Sequence, residues 1–249
     1  MNPTEELFRD DAERAQCEAT VLAWGDEGLV LDRTVFYPLG GGQAGDTGWL
    51  RSEGGAELAI ADTRKSRLHP GVILHLPAPG AAHAQALAAF APGTRVLAGI
   101  DTTRRQAHRR FHTATHLLCA LLPYPVDGCS ITAAHARLDF HTAEPLDKDA
   151  LNAGLARLVA GAHPVRHRWI DEAELDANPQ LVRSMSVQPP RGLGRVRVID
   201  VEGVDLQPCG GTHVANTADI GPVIITKIEK KAATTRRVVL GFAEPAAGR

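Results

Sequence analysis

Gly and Pro clusters cut the first hundred residues into short pieces that leave room for little but strands. "GDEG", "LGGGQAGDTG", "SEGGA", "HPG" and "APG" separate the runs "EATVLAW", "GLVLDRTVFYP", "GWLRS", "ELAIADTRK", "GVILHLP" and "TRVLAGID". Each run is apolar or alternates, which is how a buried or half-buried strand reads, and several at this spacing predict a small barrel or sandwich. One helical piece, "AAHAQALAAFA" over 81–91, interrupts before the last of them.

After Asp101 the texture changes. "TTRRQAHRRFHTATHLLCALL", residues 102–122, contains no Gly or Pro, opens on a Thr suited to capping, and ends in Leu117, Leu118, Leu121 and Leu122. It reads as a helix with a buried apolar end. "LPYPVDG" reads as a loop and "ITAAHARLDFH" as one or two strands. "DKDALNAGLARLVAGA" is a helix capped by Asp147, with Leu151, Leu155, Leu158 and Val159 on one face. Strands follow at "HPVRHRWI", "GRVRVIDVEG", "GPVIITKIEKK" and "TRRVVLGFA". Mixed strands and helices without regular alternation give an α+β class. The boundary falls near 100–104, giving an N-terminal β-barrel-like domain over 1–102 and an α+β domain over 103–249.

Composition narrows the class further. A chain of 249 residues with 44% hydrophobic content supports one or two domains with a real core. Four cysteines far apart are thin for a disulfide framework and fit a reduced setting. No apolar run reaches the ~18 residues of a membrane helix, and the start "MNPTEELFRDDAERAQ" is unlike a secretory signal. A soluble, cytoplasmic protein without membrane contact is the expectation. The net charge of -2 decides nothing about nucleic acid.

Two spacings carry chemistry. His112 and His116 in "HTATH" stand at i and i+4 on the expected helix, with Cβ atoms about 6 Å apart, close enough to share one cation. Alone, such a pair is more often an ordinary helix surface. His108, one turn earlier, reads as part of a solvated basic face, and Cys119 as a small buried apolar group. "HPVRH" repeats the spacing at His163 and His167, but on a strand it sets the imidazoles ~13 Å apart, too far for one ion. Cys209 and His213 in "CGGTH" follow on a glycine-rich turn. With the helical pair they make a Cys1His3 set that zinc accepts. On chemistry alone, a metal site and a turn whose Cys and His are merely neighbours are equally good readings.

"HTATH" followed by "QPCGGTHV" and "TADIG" resembles the editing domain of alanyl-tRNA synthetases and, more closely, the AlaX family of free-standing alanyl-tRNA editing proteins. "RTVFYPLGGGQAGDTG" is similar to that family's glycine-rich segment and "KIEKKAATTRRVVL" to its C-terminal basic hairpin, so the motifs span roughly 20–242 in family order. The resemblance implies that His112, His116, Cys209 and His213 are zinc ligands in a domain that edits aminoacyl-tRNA. It implies hydrolysis of a mischarged amino acid, chiefly serine with glycine as second candidate, from alanine-specific tRNA gripped at its acceptor end. It places Gln43 of "GGGQ" and Arg236 of the hairpin in the editing site, and offers Thr132 of "CSITAAH" as partner for the serine hydroxyl. Asp46 and Thr47 would shape the glycine-rich turn. Thr235 stands where the family commonly has Asn, and a hairpin Gly is missing.

No Ser-His-Asp set suggests a covalent nucleophile, so water is the expected one. Two basic clusters would hold phosphates: Arg104, Arg105, Arg109 and Arg110, and Lys227, Lys230, Lys231, Arg236 and Arg237. Competing readings are a deacylase for another misacylated tRNA and a zinc module that binds tRNA without catalysis. A metalloprotease lacks support, since "HTATH" has no Glu beside its first His.

Overall fold

A computed structural model of the chain describes residues 2–25, 27–79, 88–185, 188–189, 192 and 194–243. The chain divides into two compact units, one of Met1–Gly40 with Ala44–Gln106, the other of Gly41–Gln43 with Ala107–Arg249. The architecture is mixed α+β, and no helix among the described residues is long and apolar enough to cross a membrane.

In the first unit, the strands are β1 (Glu5–Glu6), β2 (Gln16–Gly25), β3 (Gly28–Leu31), β4 (Arg33–Thr34), β5 (Gly48–Ser52), β6 (Glu57–Lys65), β7 (Ile73–Pro77) and β8 (Arg95–Ile100). Six of them close into a barrel in the order β2-β3-β7-β6-β5-β8, while β1 and β4 form a short parallel pair. Closure removes sheet edges that a short-stranded chain would otherwise expose. Alternation sends Cys17, Ala19 and Val21 of β2 inward, where they meet Leu50, Ile60, Val96 and Ala98. Most of the helical piece expected over 81–91 falls on residues 80–87, outside the described residues.

Asp46 and Arg105 also lie in this unit, both almost fully buried. The carboxylate accepts from Tyr37 N at 2.7 Å and Arg105 Nε at 3.0 Å, and the guanidinium donates further to the carbonyls of Val35 and Ala12. Asp46 thus does shape its turn. Arg105 contradicts the phosphate reading of its cluster, because a buried cation needs a buried partner and has found one.

The second unit contains most of helix α1 (Thr102–Leu121), then β9 (Val126–Ile131), β10 (Ala136–His141), α2 (Lys148–Ala160), β11 (Val165–Asp171), α3 (Glu172–Ala177), β12 (Arg195–Val201), β13 (Asp205–Pro208), β14 (Val223–Ala232) and β15 (Thr235–Phe242). Two antiparallel sheets result, β14-β15-β10-β9 and β11-β12-β13. Phe111, Ala114, Leu117 and Leu118 of α1 enter one core with Ile131, Leu138, Phe140, Leu155, Val238 and Leu240. Phe111 stacks on Phe242 with ring centroids 4.0 Å apart.

Several local expectations need correction. The cap of α1 is Asp101, whose carboxylate accepts from Arg104 N at 3.0 Å, rather than a Thr. The expected loop "LPYPVDG" already contains the start of β9, and the expected turn from 206 opens with β13. Pro208 is tolerated there because it ends an edge strand, where its missing N–H breaks no ladder. Asp147 caps α2 as expected, accepting from Asp149 N and Ala150 N.

Candidate metal centre

His112 and His116 project from one face of α1, one turn apart, with ring centroids 5.6 Å apart. Beyond β13, the turn Cys209–His213 brings a thiol and a third imidazole to the same point. The four donor atoms all lie within 4.8 Å of one another. Cys209 Sγ is 3.4 Å from His112 Nε2 and 3.3 Å from His213 Nε2. A tetrahedral zinc with S at about 2.3 Å and N at about 2.0–2.1 Å requires S···N separations of about 3.5 Å. The donor set and its spacing therefore fit the ion.

Each imidazole is oriented from behind through Nδ1. His116 Nδ1 meets Asp205 Oδ2 at 3.0 Å, and that carboxylate also accepts from Gln207 Nε2 at 2.8 Å. His213 Nδ1 is 3.1 Å from Thr113 Oγ1, whose own hydrogen goes to Arg109 O at 3.0 Å. His112 Nδ1 is 2.8 Å from Gln43 Oε1. The same Oε1 accepts the Thr212 backbone N–H at 3.1 Å, which fixes the orientation of the Gln43 amide. All three Nδ1 atoms therefore face acceptors, and Nε2 is the atom that each ring turns toward the cluster.

The turn itself is built for close approach. A Cβ at Gly211 would lie 2.1 Å from His112 Cε1 and 3.1 Å from Gln43 Oε1. Arg197, buried, donates to the carbonyls of Cys209 at 2.8 Å and Gly211 at 3.1 Å, while Arg109 Nε donates to His213 O at 2.8 Å. Arg109 is thus scaffold and not a free phosphate ligand, a second correction to the first basic cluster. His108, expected on a solvated face, is fully buried instead, whereas Cys119 is buried as expected.

Electrostatics prepare the donors. Burial would raise the Cys209 thiol, but the imidazoles of His112, His213 and His116 hold it well below its ordinary value. Burial and the neighbouring His112 charge push His213 well below the usual imidazole range. A thiolate and a neutral imidazole are the forms that bind a metal. His116 goes the other way: burial disfavours its charge, yet Asp205 and Cys209 raise it to about 10. Asp205→Asn, which keeps the shape and removes that charge, is expected to lower zinc affinity at least tenfold, within the roughly 10–100-fold range for an outer partner. Chelator competition on the folded variant measures this, and unchanged affinity would remove Asp205 from the site.

Gln43, Thr132 and Arg236 stand differently toward this cluster. Gln43 is fully buried behind His112 on the Gly41–Gln43 loop, and Gly42 is there because its φ of +85° and the Cys129 thiol leave no room for a side chain. Ile131 N donates to Gly42 O at 2.7 Å, tying the loop to β9. Thr132 lies in the turn after β9. Its hydroxyl donates to His135 O at 2.9 Å and accepts from the N–H groups of Ala134 and His135, which uses its full capacity. The Arg236 guanidinium is held at the β14–β15 hairpin by the carbonyls of Ala232, Ala233, Thr235 and Ala143. Lys230 and Lys231 nearby are exposed, while Arg237 forms a paired bond with Asp139 at 2.7 and 2.8 Å. Asp205, Thr113, Thr212 and Arg197 were not among the expected site residues. Only Asp205 left a signal, as the one charged residue in "GVDLQP" before Cys209.

Comparison with known proteins gives the family. The family described as "Threonyl and Alanyl tRNA synthetase second additional domain" matches residues 196–239, and "tRNA synthetases class II (A)" matches 5–104. An alanyl-tRNA editing protein AlaX-M of Methanosarcina barkeri is 34% identical over 94% of this chain and 97% of its own length. Its counterpart in Saccharolobus solfataricus is 30% identical over 94% of this chain and 97% of its own. The alanine–tRNA ligase of Methanothermobacter thermautotrophicus is 32% identical over 91% of this chain, which spans 25% of that longer protein. Aligned almost end to end with free-standing relatives, and with only a quarter of the ligase, the chain belongs to the AlaX family of alanyl-tRNA editing proteins.

Proposed function

We propose that the chain deacylates mischarged Ser-tRNA(Ala) in trans, at the His112–His116–Cys209–His213 centre, with zinc as the ion and water as the nucleophile. Family membership makes the chain an aminoacyl-tRNA deacylase. The observation that carries the finer reading is the convergence of four donor atoms within 4.8 Å, behind which every imidazole has its Nδ1 anchored. A bound zinc ion would supply Lewis-acid chemistry at the ester or its attacking water. His112, His116, Cys209 and His213 would hold it, and Gln43, Thr113 and Asp205 keep the ligands aimed. Gln43 serves as a positioning residue, acting through His112. Cys209 as a bound thiolate is committed to the metal and does not attack.

Discrimination has a physical need behind it. An apolar pocket rejects an added hydroxyl weakly, so a second hydrolytic site that hydrogen-bonds the serine hydroxyl restores fidelity. Alanine entering that site would leave a buried polar group unsatisfied. Glycine is the second candidate substrate. Lys230 and Lys231, exposed beside Arg236, are the cations proposed to meet phosphates at the acceptor end.

Purified protein is expected to hold about one zinc per chain, by the four-ligand count. It is expected to release serine from Ser-tRNA(Ala) and to spare Ala-tRNA(Ala). Equal hydrolysis of both substrates would sink the discrimination. Bound zinc without hydrolysis of any misacylated tRNA would leave a binding module.

A further inference from the structure

Trp169 has no place in the centre described above, yet it lies in the row that leads to it. It stands on β11, an edge strand, and is 48% exposed, while Trp24 and Trp49 are half-buried. Antiparallel pairing sets Trp169 opposite Arg197 on β12, so the two side chains leave the sheet on the same face. Arg197 then reaches across to the carbonyls of Cys209 and Gly211. The next row on that face is His167, Ile199 and Gln207, and the one after it Val165, Val201 and Asp205. Asp205 and Gln207 are the pair behind His116. The indole is therefore on the face that carries the metal-ligand turn, about two strand spacings (~10 Å) from it.

Around the indole on that face His167 and Arg195 are exposed, with Asp171 3.8 Å from Arg195, while Arg197 is buried beneath the turn. On this face the buried apolar side chains Val165, Ile199 and Val201 lie at the other end of the sheet, and the cluster of Ile170, Val196 and Val198 packs on the opposite face. An exposed flat ring is suited to a nucleobase, because every base offers a π-face, and the exposed Arg195 beside it can meet a phosphate. The proposed substrate carries its ester on the ribose of a terminal adenosine. With the ester at the metal centre, the ribose bridges the row and the base reaches the indole.

We propose that Trp169 is the stacking platform for the terminal adenine of the substrate's 3′ end. This rests on the deacylase reading, and the test separates the two. Adenosine 5′-monophosphate is expected to quench the tryptophan fluorescence of the intact chain, and Trp169→Phe is expected to abolish that quench. With misacylated tRNA, Trp169→Ala is expected to raise KM about tenfold at unchanged kcat, within the range for one lost stacked base. Trp169→Phe, which keeps a ring, should restore KM. An absent quench in the wild type, or a wild-type KM in Trp169→Ala, overturns the platform. So does a dimer, seen by sedimentation, that Trp169→Ala splits while KM stays the same, since the ring would then serve a second copy of the chain. If the wild type releases no amino acid at all, the deacylase reading fails while the quench still decides the platform.

Discussion

Cys209→Ala is expected to lose bound zinc and deacylase activity together. The thiolate is the one anionic donor in the cluster, and His112 and His213 approach its sulfur at 3.4 and 3.3 Å. Without it three neutral imidazoles remain for a dication, and the soft ligand that favours zinc is gone. Loss of an outer partner costs roughly 10–100-fold, so removal of a direct ligand is expected to exceed about 100-fold in activity. The fold should survive, since Cys209 only borders the second unit's core and Ala keeps an apolar contact there. Metal analysis and the serine-release assay on the same preparation check the expectation. Full activity in Cys209→Ala would remove the centre from the chemistry.

Gly211→Ala should be nearly as damaging although it deletes no functional group. The added methyl would sit 2.1 Å from His112 Cε1, 2.4 Å from its Nδ1 and 3.1 Å from Gln43 Oε1. The ring has nowhere to withdraw. Its Nδ1 is bound to Gln43 and its Nε2 faces Cys209, so any shift breaks one of the two. Overpacking of this kind typically costs about 1–3 kcal/mol. Taken out of the aim of His112, that is on the order of a 10–100-fold loss in zinc affinity, with a parallel drop in kcat. Gly210→Ala, at an exposed position of the same turn, is the matched control and should change little. Equal zinc affinity in both variants would mean that the turn yields more easily than its contacts imply.

Spacing brought the four donors forward as candidates, since residue type and backbone together give it a meaning, and the family resemblance chose the metal reading. His112 and His116 share a helix face, while His163 and His167, at the same spacing, are divided by a strand. What stood behind the donors was not legible. Gln43 was expected in the site from the resemblance but not behind His112, Thr113 looks like one more helical Thr, and Arg197 is one of two Arg in "GRVRV". Their roles depend on which neighbour folding brings to them. The arginines of "RRQAHRR" misled for the same reason, since charge in a sequence does not tell whether a partner lies waiting inside. Arg105 found Asp46, and Arg109 found the His213 carbonyl. The short strands of the first unit were clear from Gly and Pro punctuation, which left a barrel and a sandwich both open. β13 was hidden, because its four residues end in a proline that a central strand would refuse.

The loop Gly41–Gln43 clusters with the second unit although its flanks on both sides belong to the first. The polypeptide therefore passes between the units three times, and the second unit is not a contiguous stretch of gene. A fragment beginning at Ala107 would carry every proposed ligand and still lack the amide that aims His112. Recombination that exchanged barrels between relatives would bring in a foreign version of that amide with each exchange.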